Sequence, residues 1–288
     1  MAVNLDKLRA RQFPLVRDTY SVQDTIRYAL SVGVGMFPTE ERHLRYVWEE
    51  APKGLLVLPS MASVLAYAGH WSRDPELDLD WPRILHGEQR VVLHRSIPAA
   101  AAVEAQTRIA AVQDKGTARG AVMDAVREIR DTHTRQLIAT VTMITFLRGD
   151  GGQGGFGQPS PPCRPVPDRT PDWTVIVPTS PQAGLLYRLE GDLNPVHADP
   201  VTASQAGFGA PIMHGLCTFG AVVHSLMGWA CDDDSSAVRE LAVRFTAPAY
   251  PGDVLHTQAW REGQNLRFRT AVEARGVTVL DRGLIVVD

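Results

Sequence analysis

Apolar positions recur along this chain in two rhythms. Ile26, Ala29 and Leu30 follow Ser21 at helical spacing, and Asp24 sits where a helix dipole favours an acid, so a helix is predicted that ends in the turn Val32 to Gly35. Leu44 to Glu49 reads as a strand, and Met61 to Ala68, apolar and flanked by Pro59 and Gly69, reads as a buried helix. Strand-like runs follow from Arg90, and Gln136 to Leu147 alternates in the manner of a half-buried strand. Between Gly149 and Pro167, Gly, Gln and Pro displace apolar residues, which predicts a boundary between two halves. Beyond it, Leu216, Phe219, Val223, Leu226 and Met227 give a broad apolar helix face starting at Gly215. Strands are then predicted at Arg239 to Pro248, Asp253 to Arg261, Leu266 to Glu273 and Thr278 to Val287.

The halves also echo each other. Tyr28, Leu30, Gly33 and Pro38 can be laid, with small slips, on Tyr187, Leu189, Gly191 and Pro195, and Pro98 through Gly116 on Pro248 through Gly263. A duplication is expected, with two long apolar helices wrapped by antiparallel strands in an α+β arrangement.

Composition narrows the class. With 288 residues and 44% hydrophobic content, the chain can bury an ordinary core in one large domain or two modest ones. A net charge of -3 without any Lys/Arg-rich block argues against a nucleic-acid binder. Cys163, Cys217 and Cys231 have neither metal-ligand pairing nor the density of a disulfide framework, which fits a reducing interior. No leader opens the chain, no apolar run is long enough to span a bilayer, and the ending Leu284 to Asp288 is not a peroxisomal address, so a cytoplasmic protein is expected.

The chemistry concentrates between Tyr187 and Gly220. Gly191, Asn194 and Pro195 punctuate the chain there, and the turn they predict gathers Asp192, Asn194 and His197 around one point. Asp199 before Pro200 reads as the cap of a short helix that stops at Gly207, not as a third acid. At Gly215 a helix N-terminus would offer free N–H groups to an anionic oxygen with no side chain in the way. Taken singly, Asp192 and His197 would be read as a turn cap and its hydrogen-bonding partner. His214 reads as a brace for the helix start. Asp192, His197 and Asp199 make a poor metal-ligand set, so no metal is expected, and no cofactor. The glycine-rich stretch lacks the strand, helix and Gly-Lys-Ser/Thr of a phosphate cradle, and is read as a linker.

This stretch resembles the signature of the MaoC-like, or type 2, enoyl-CoA hydratases, Y-x-L-x-G-D-x-N-P-x-H closing with H-G-L. Leu85 to Glu88, Asp114 to Gly116, Gly154 to Gly157 and Ala242 to Gly252 follow the order of the hydratase region of eukaryotic peroxisomal multifunctional enzymes, so the resemblance spans nearly the whole chain. It implies a double hotdog fold: an N-terminal hotdog over 1–150, a linker over 151–168 and a catalytic hotdog over 169–288. It implies strands for the alanine-rich runs Ala99 to Val112 and Ala118 to Arg130, which helix propensity alone would make helices.

The same resemblance implies addition of water to a 2-enoyl-CoA thioester to give the (3R)-hydroxy product, in fatty-acid or related acyl-chain metabolism. Such a reaction needs a base for water, a proton for the α-carbon and donors for the enolate oxygen. Asp192 and His197 would share the water, Asn194 would orient it or brace the turn, and Gly215 N–H would receive the thioester oxygen. Which of Asp192 and His197 is acid and which base stays open. His86, Gly87, Lys115, Arg244 and Phe245 are the implied coenzyme A contacts, the acyl tail is expected near Leu56 to Ala68, and a homodimer is implied. An acyl-CoA thioesterase and a non-catalytic acyl-CoA sensor are the competing functions, since one fold hosts many.

Overall fold

Strand after strand joins edge to edge into one ten-stranded antiparallel sheet. The computed structural model describes residues 3–37 and 40–288. In chain order the elements are α1 (Leu5–Ala10), β1 (Val16–Tyr20), α2 (Val22–Ser31), α3 (Glu41–Val47), β2 (Ile84–Leu93), β3 (Ala101–Asp114), β4 (Ala121–Asp131) and β5 (Leu137–Leu147). The second half follows with β6 (Trp173–Pro178), α4 (Ala183–Tyr187), α5 (Pro200–Gln205), α6 (Gly215–Cys231), β7 (Val238–Phe245), β8 (Val254–Glu262), β9 (Asn265–Val272) and β10 (Val277–Val287).

The sheet order is β1-β3-β4-β5-β2-β7-β10-β9-β8-β6. Read from either edge to the centre, each half uses its first, third, fourth, fifth and second strand, so the duplication expected from the sequence is repeated in the topology. Of the residues that carried that expectation, Pro38 lies outside the described ones. The halves meet where β2 pairs with β7, from Glu88 opposite Arg244 to Val92 opposite Glu240. The alanine-rich runs are strands, β3 and β4, because each residue gains a ladder partner and alternate side chains reach the core. β2 starts at Ile84, earlier than the Arg90 the pattern suggested.

α6 is the axis of the second half. Cys217, Thr218, Phe219, Gly220, Ala221, Val222, Val223, Leu226 and Met227 are all buried, which a helix tolerates only when protein surrounds it. Gly220 lets it press against α2: a Cβ there would stand 2.7 Å from Val32 Cγ1.

Two expectations fail in the first half. Leu44 to Glu49 is mostly helix, because α3 closes its last turn through Trp48 N–H to Leu44 O at 2.9 Å and thereby buries Tyr46 edge-on against His224 of α6. Met61 to Ala68 is not a helix. A 3-10 turn over Pro59–Ser63 is all that forms, and Ala66 adopts a left-handed φ of 46°, its N–H taken by Asp18 Oδ2 at 3.0 Å. Among the described residues the first half therefore has no counterpart of α6, and the expected pair of long helices is a single one.

The glycine-rich boundary lies against the sheet. Phe156 bridges to Val112, and a Cβ on Gly155 or Gly157 would collide with the carbonyls of Val112 and Ala110 at 2.2 and 2.1 Å. The N–H groups of Gly152 and Gly154, which a phosphate would need, are both held by the Asp114 carboxylate at 2.8 Å.

Candidate active site

After α4 the chain makes a 3-10 turn, Arg188–Glu190, and Gly191 reverses it at φ 107°, a conformation that only glycine adopts without strain. Asp192 follows; its Oδ1 accepts the N–H of Asn194 at 3.1 Å, and Asn194 Oδ1 accepts the N–H of Val196 at 3.3 Å, capping the 3-10 turn Pro195–His197. The Asn194 carbonyl-type oxygen thus braces the turn. Asp199 caps α5 through the N–H groups of Val201 and Thr202, at 3.1 and 3.0 Å, as its spacing suggested.

These local bonds bring three polar side chains together: donor atoms of Asp192, His197 and His214 lie within 4.8 Å of one another. His197 and His214 stack with ring centroids 3.6 Å apart and planes at 27°. Each ring has one nitrogen on a backbone carbonyl, which can only accept. His197 Nδ1 donates to Ile212 O at 2.9 Å and His214 Nε2 donates to Asp192 O at 3.1 Å. The free lone pair of neutral His197 is therefore on Nε2. His214 binds the turn to the start of α6, the bracing role its position suggested. Burial pulls the His197 pKa below 6.5, the Ile212 carbonyl and Asp192 opposing it, so the ring is neutral at physiological pH. Burial holds His214 lower still, at about 4, helped by the neighbouring His197. Nearly parallel rings direct their lone pairs along parallel planes, a poor set for the convergent coordination of a metal ion.

Gly215 opens α6 a single residue after His214, and its N–H has no acceptor among the described residues. A Cβ on it would stand 3.0 Å from two carbons of the Phe245 ring, so only glycine leaves this helix end open. Phe245 in turn packs on His86, with ring centroids 4.7 Å apart. Burial pulls the His86 pKa down to about 4, and its Nε2 is buried without a partner.

A cavity, partly open to solvent, begins at Asp192, His86 and Leu216 and runs into the first half, past Val64, Tyr67 and Met143. Part of its wall, Ser63, Val64, Tyr67 and Ala68, comes from the stretch that stands in chain order between β1 and β2 as α6 stands between β6 and β7. Asp192 also meets the first half through His70, whose Nε2 is 3.4 Å from Asp192 Oδ1.

The implied coenzyme A residues are dispersed. Gly87 is buried, and a Cβ there would stand 2.3 Å from the Phe146 ring, so its smallness serves packing. Lys115 is half-buried in the β3–β4 turn, donating to Gln113 Oε1 at 2.7 Å, and does not line the cavity. Arg244 is engaged by Glu88 Oε1, with its Nε at 2.6 Å. Ser63, Val64, Tyr67 and Ala68, from the Leu56 to Ala68 stretch expected near the acyl tail, line the cavity; sequence reasoning missed Arg127, which also lines it, and His70, which reaches Asp192.

Two half-sheets wrapped on one buried helix, with an acid, a neutral histidine and an open helix end beside an apolar cavity, define an enzyme of the double hotdog class. Family models match both halves: the MFE-2 hydratase 2 N-terminal domain over residues 19–149 and the MaoC like domain over 163–282. The chain is 33% identical to "Enoyl-CoA hydratase ChsH3" of Mycobacterium tuberculosis, over 100% of this chain and 99% of that one. It is 34% identical to the peroxisomal "Enoyl-CoA hydratase 2" of Arabidopsis thaliana, with 96% and 93% covered. Among solved structures, a MaoC-like dehydratase from Phytophthora capsici superposes with a TM-score of 0.87 at 30% identity, covering 99% of each chain. The chain belongs to the MaoC-like hydratase 2 family.

Proposed function

We propose that this protein is a hydro-lyase that adds water to trans-2-enoyl-CoA thioesters, giving (3R)-hydroxyacyl-CoA in fatty-acid or related acyl-chain metabolism. The observation that supports this reading best is the convergence of Asp192, His197 and His214 at the start of α6, where Gly215 N–H has no acceptor among the described residues, with Asp192 lining an apolar cavity that runs into the first half. In this reading His197 Nε2 and the Asp192 carboxylate hold one water between them. As its oxygen bonds to C3, its proton passes to this pair; the electrons of the double bond move onto the thioester oxygen, where Gly215 N–H stabilises the charge. The pair then returns a proton to C2, and the product leaves with one water added. An oxyanion donor of this kind is typically worth roughly 100- to 1000-fold in turnover.

The halves divide the work: 1–150 accommodates the acyl chain, 151–168 links, and 169–288 carries the reacting groups. His86 and Phe245 form the wall beside the thioester, with coenzyme A held at the open side. A homodimer in a cytoplasmic setting completes the reading, and the unpaired cysteines suit it. Light scattering and cell fractionation check these two points.

The test is spectrophotometric. Added trans-2-enoyl-CoA should lose its conjugated thioester absorbance with no free thiol appearing. Thiol release instead would reassign the protein as a thioesterase.

A further inference from the structure

The cavity carries a group that water addition does not require: a buried guanidinium. Arg127 lines the wall and is 6% exposed. On β4 it lies in register with Thr107 of β3 and Val141 of β5, and all three face the cavity. The adjacent row along the sheet is Ala125, Met143 and Gln89, which face it too. By ordinary sheet spacing, Arg127 stands roughly 10 Å across and roughly 7 Å along the sheet from Gln89. Tyr67 lies between Arg127 and the reacting turn. The Arg127 guanidinium is 5.3 Å from the Tyr67 ring centroid, and Tyr67 also senses the charge of Asp192.

The bonding of Arg127 is incomplete. Nη2 donates to Ser63 O at 2.7 Å and Ala62 O at 3.2 Å, pinning the 3-10 turn that replaces the missing helix. Nε is buried with no partner, and Nη1 bonds nothing among the described residues. No carboxylate among the described residues pairs with it. Glu190, a buried carboxylate of this wall, is paired with Arg27 Nε at 3.1 Å. The neighbouring Ser63 hydroxyl is also buried and unpartnered. Burial lowers the Arg127 pKa to about 10, so the group is a cation at neutral pH. A buried cation without a counterion is unfavourable, and a purely apolar chain end would leave it so.

We propose that Arg127, with the Ser63 hydroxyl beside it, binds a carboxylate at the far end of the acyl chain. The preferred substrates are then CoA thioesters of dicarboxylic, not plain fatty, enoic acids. This rests on the hydratase reading for the reacting end of the substrate and on the cavity alone for the far end.

Saturated CoA thioesters, which cannot react, separate the two. Medium-chain acyl-CoAs of equal length, ending in a methyl group or a carboxylate, are titrated calorimetrically into wild type, Arg127→Lys and Arg127→Met. A charge-assisted hydrogen bond predicts roughly tenfold or tighter binding of the carboxylate form by wild type. That preference should shrink in Arg127→Lys and vanish in Arg127→Met. Equal or weaker binding of the carboxylate form by wild type overturns the proposal, as does a preference that survives in Arg127→Met. If circular dichroism shows Arg127→Met unfolded, wild type against Arg127→Lys decides by the same criterion. A carboxylate preference in binding with no hydration of either enoyl form would retire the hydratase reading and keep this site.

Discussion

Replacing Arg244 by methionine should weaken the fold far more than it weakens substrate binding. Arg244 of β7 and Glu88 of β2 are opposite each other where the halves join, and both Nε and Nη2 of the arginine reach Glu88 Oε1. The Glu88 side chain is only 5% exposed, against 27% for Arg244. Removing the arginine leaves a buried carboxylate with little beyond the Cys163 N–H at 3.4 Å. Stranding a buried charge this way costs about 3–5 kcal/mol, and the partial exposure of Arg244 points to the lower end. At about 2–4 °C per kcal/mol for a chain of this order, about 3 kcal/mol lowers the Tm by about 6–12 °C. Adding Glu88→Gln removes the stranded charge, so the double variant should melt well above Arg244→Met alone. Thermal melts of the four proteins, with KM for an enoyl-CoA, make the measurement. An Arg244→Met protein that melts like wild type while its KM rises tenfold would refute this account and return Arg244 to the coenzyme.

Other outcomes follow from the site and its packing. Asp192→Asn and His197→Ala should each cut kcat by about 100- to 10,000-fold with circular dichroism unchanged, as expected for loss of a proton-transfer group; near-normal rates in both would dismantle the site. Because burial keeps His197 below 6.5, the acid-side decline of kcat/KM should be centred below 6.5, whereas a decline centred above 6.5 would contradict this. His86, His214 and His224 are held down to about 4, about 4 and about 3, chiefly by burial, against 6.5 when unfolded. Their folded pKa values lie below the unfolded one, so the unfolded chain takes up protons first; Tm should fall as pH drops from 6.5 towards 4, and a Tm constant over that window would show these rings are not buried neutral. Gly87→Ala should lower Tm, since overpacking typically costs about 1–3 kcal/mol, and Phe146→Leu should restore part of the loss; an unchanged Tm with weaker substrate binding would make Gly87 a contact residue after all.

Much of this molecule was legible in its letters where the signal is local. Gly191, Pro195, Asp199 and Pro200 each fix the backbone by their own chemistry, so the turn and α5 came out as read. α6 was legible because its apolar face is broad and long. β3 and β4 were not: their alanines carry no period that separates helix from strand, and only the family resemblance indicated extended chain. Leu44 to Glu49 misled because Tyr46 is buried by a contact with α6 far along the chain, not by a strand partner. Met61 to Ala68 misled because the left-handed turn at Ala66 is set by Asp18, distant in sequence. Arg127 and His70 were invisible for a similar reason, since sheet register brings the one to the cavity wall and the packing of one half on the other brings the second to Asp192.

The absence of a first-half copy of α6 separates two tasks that most enzymes must settle in the same place. Residues such as Val64, Ala68 and Met143 line the room left behind, while the proton-handling turn belongs to the opposite half. If the reaction is confined to that turn, substitutions along the room should change which guest fits while leaving the proton-handling groups in place.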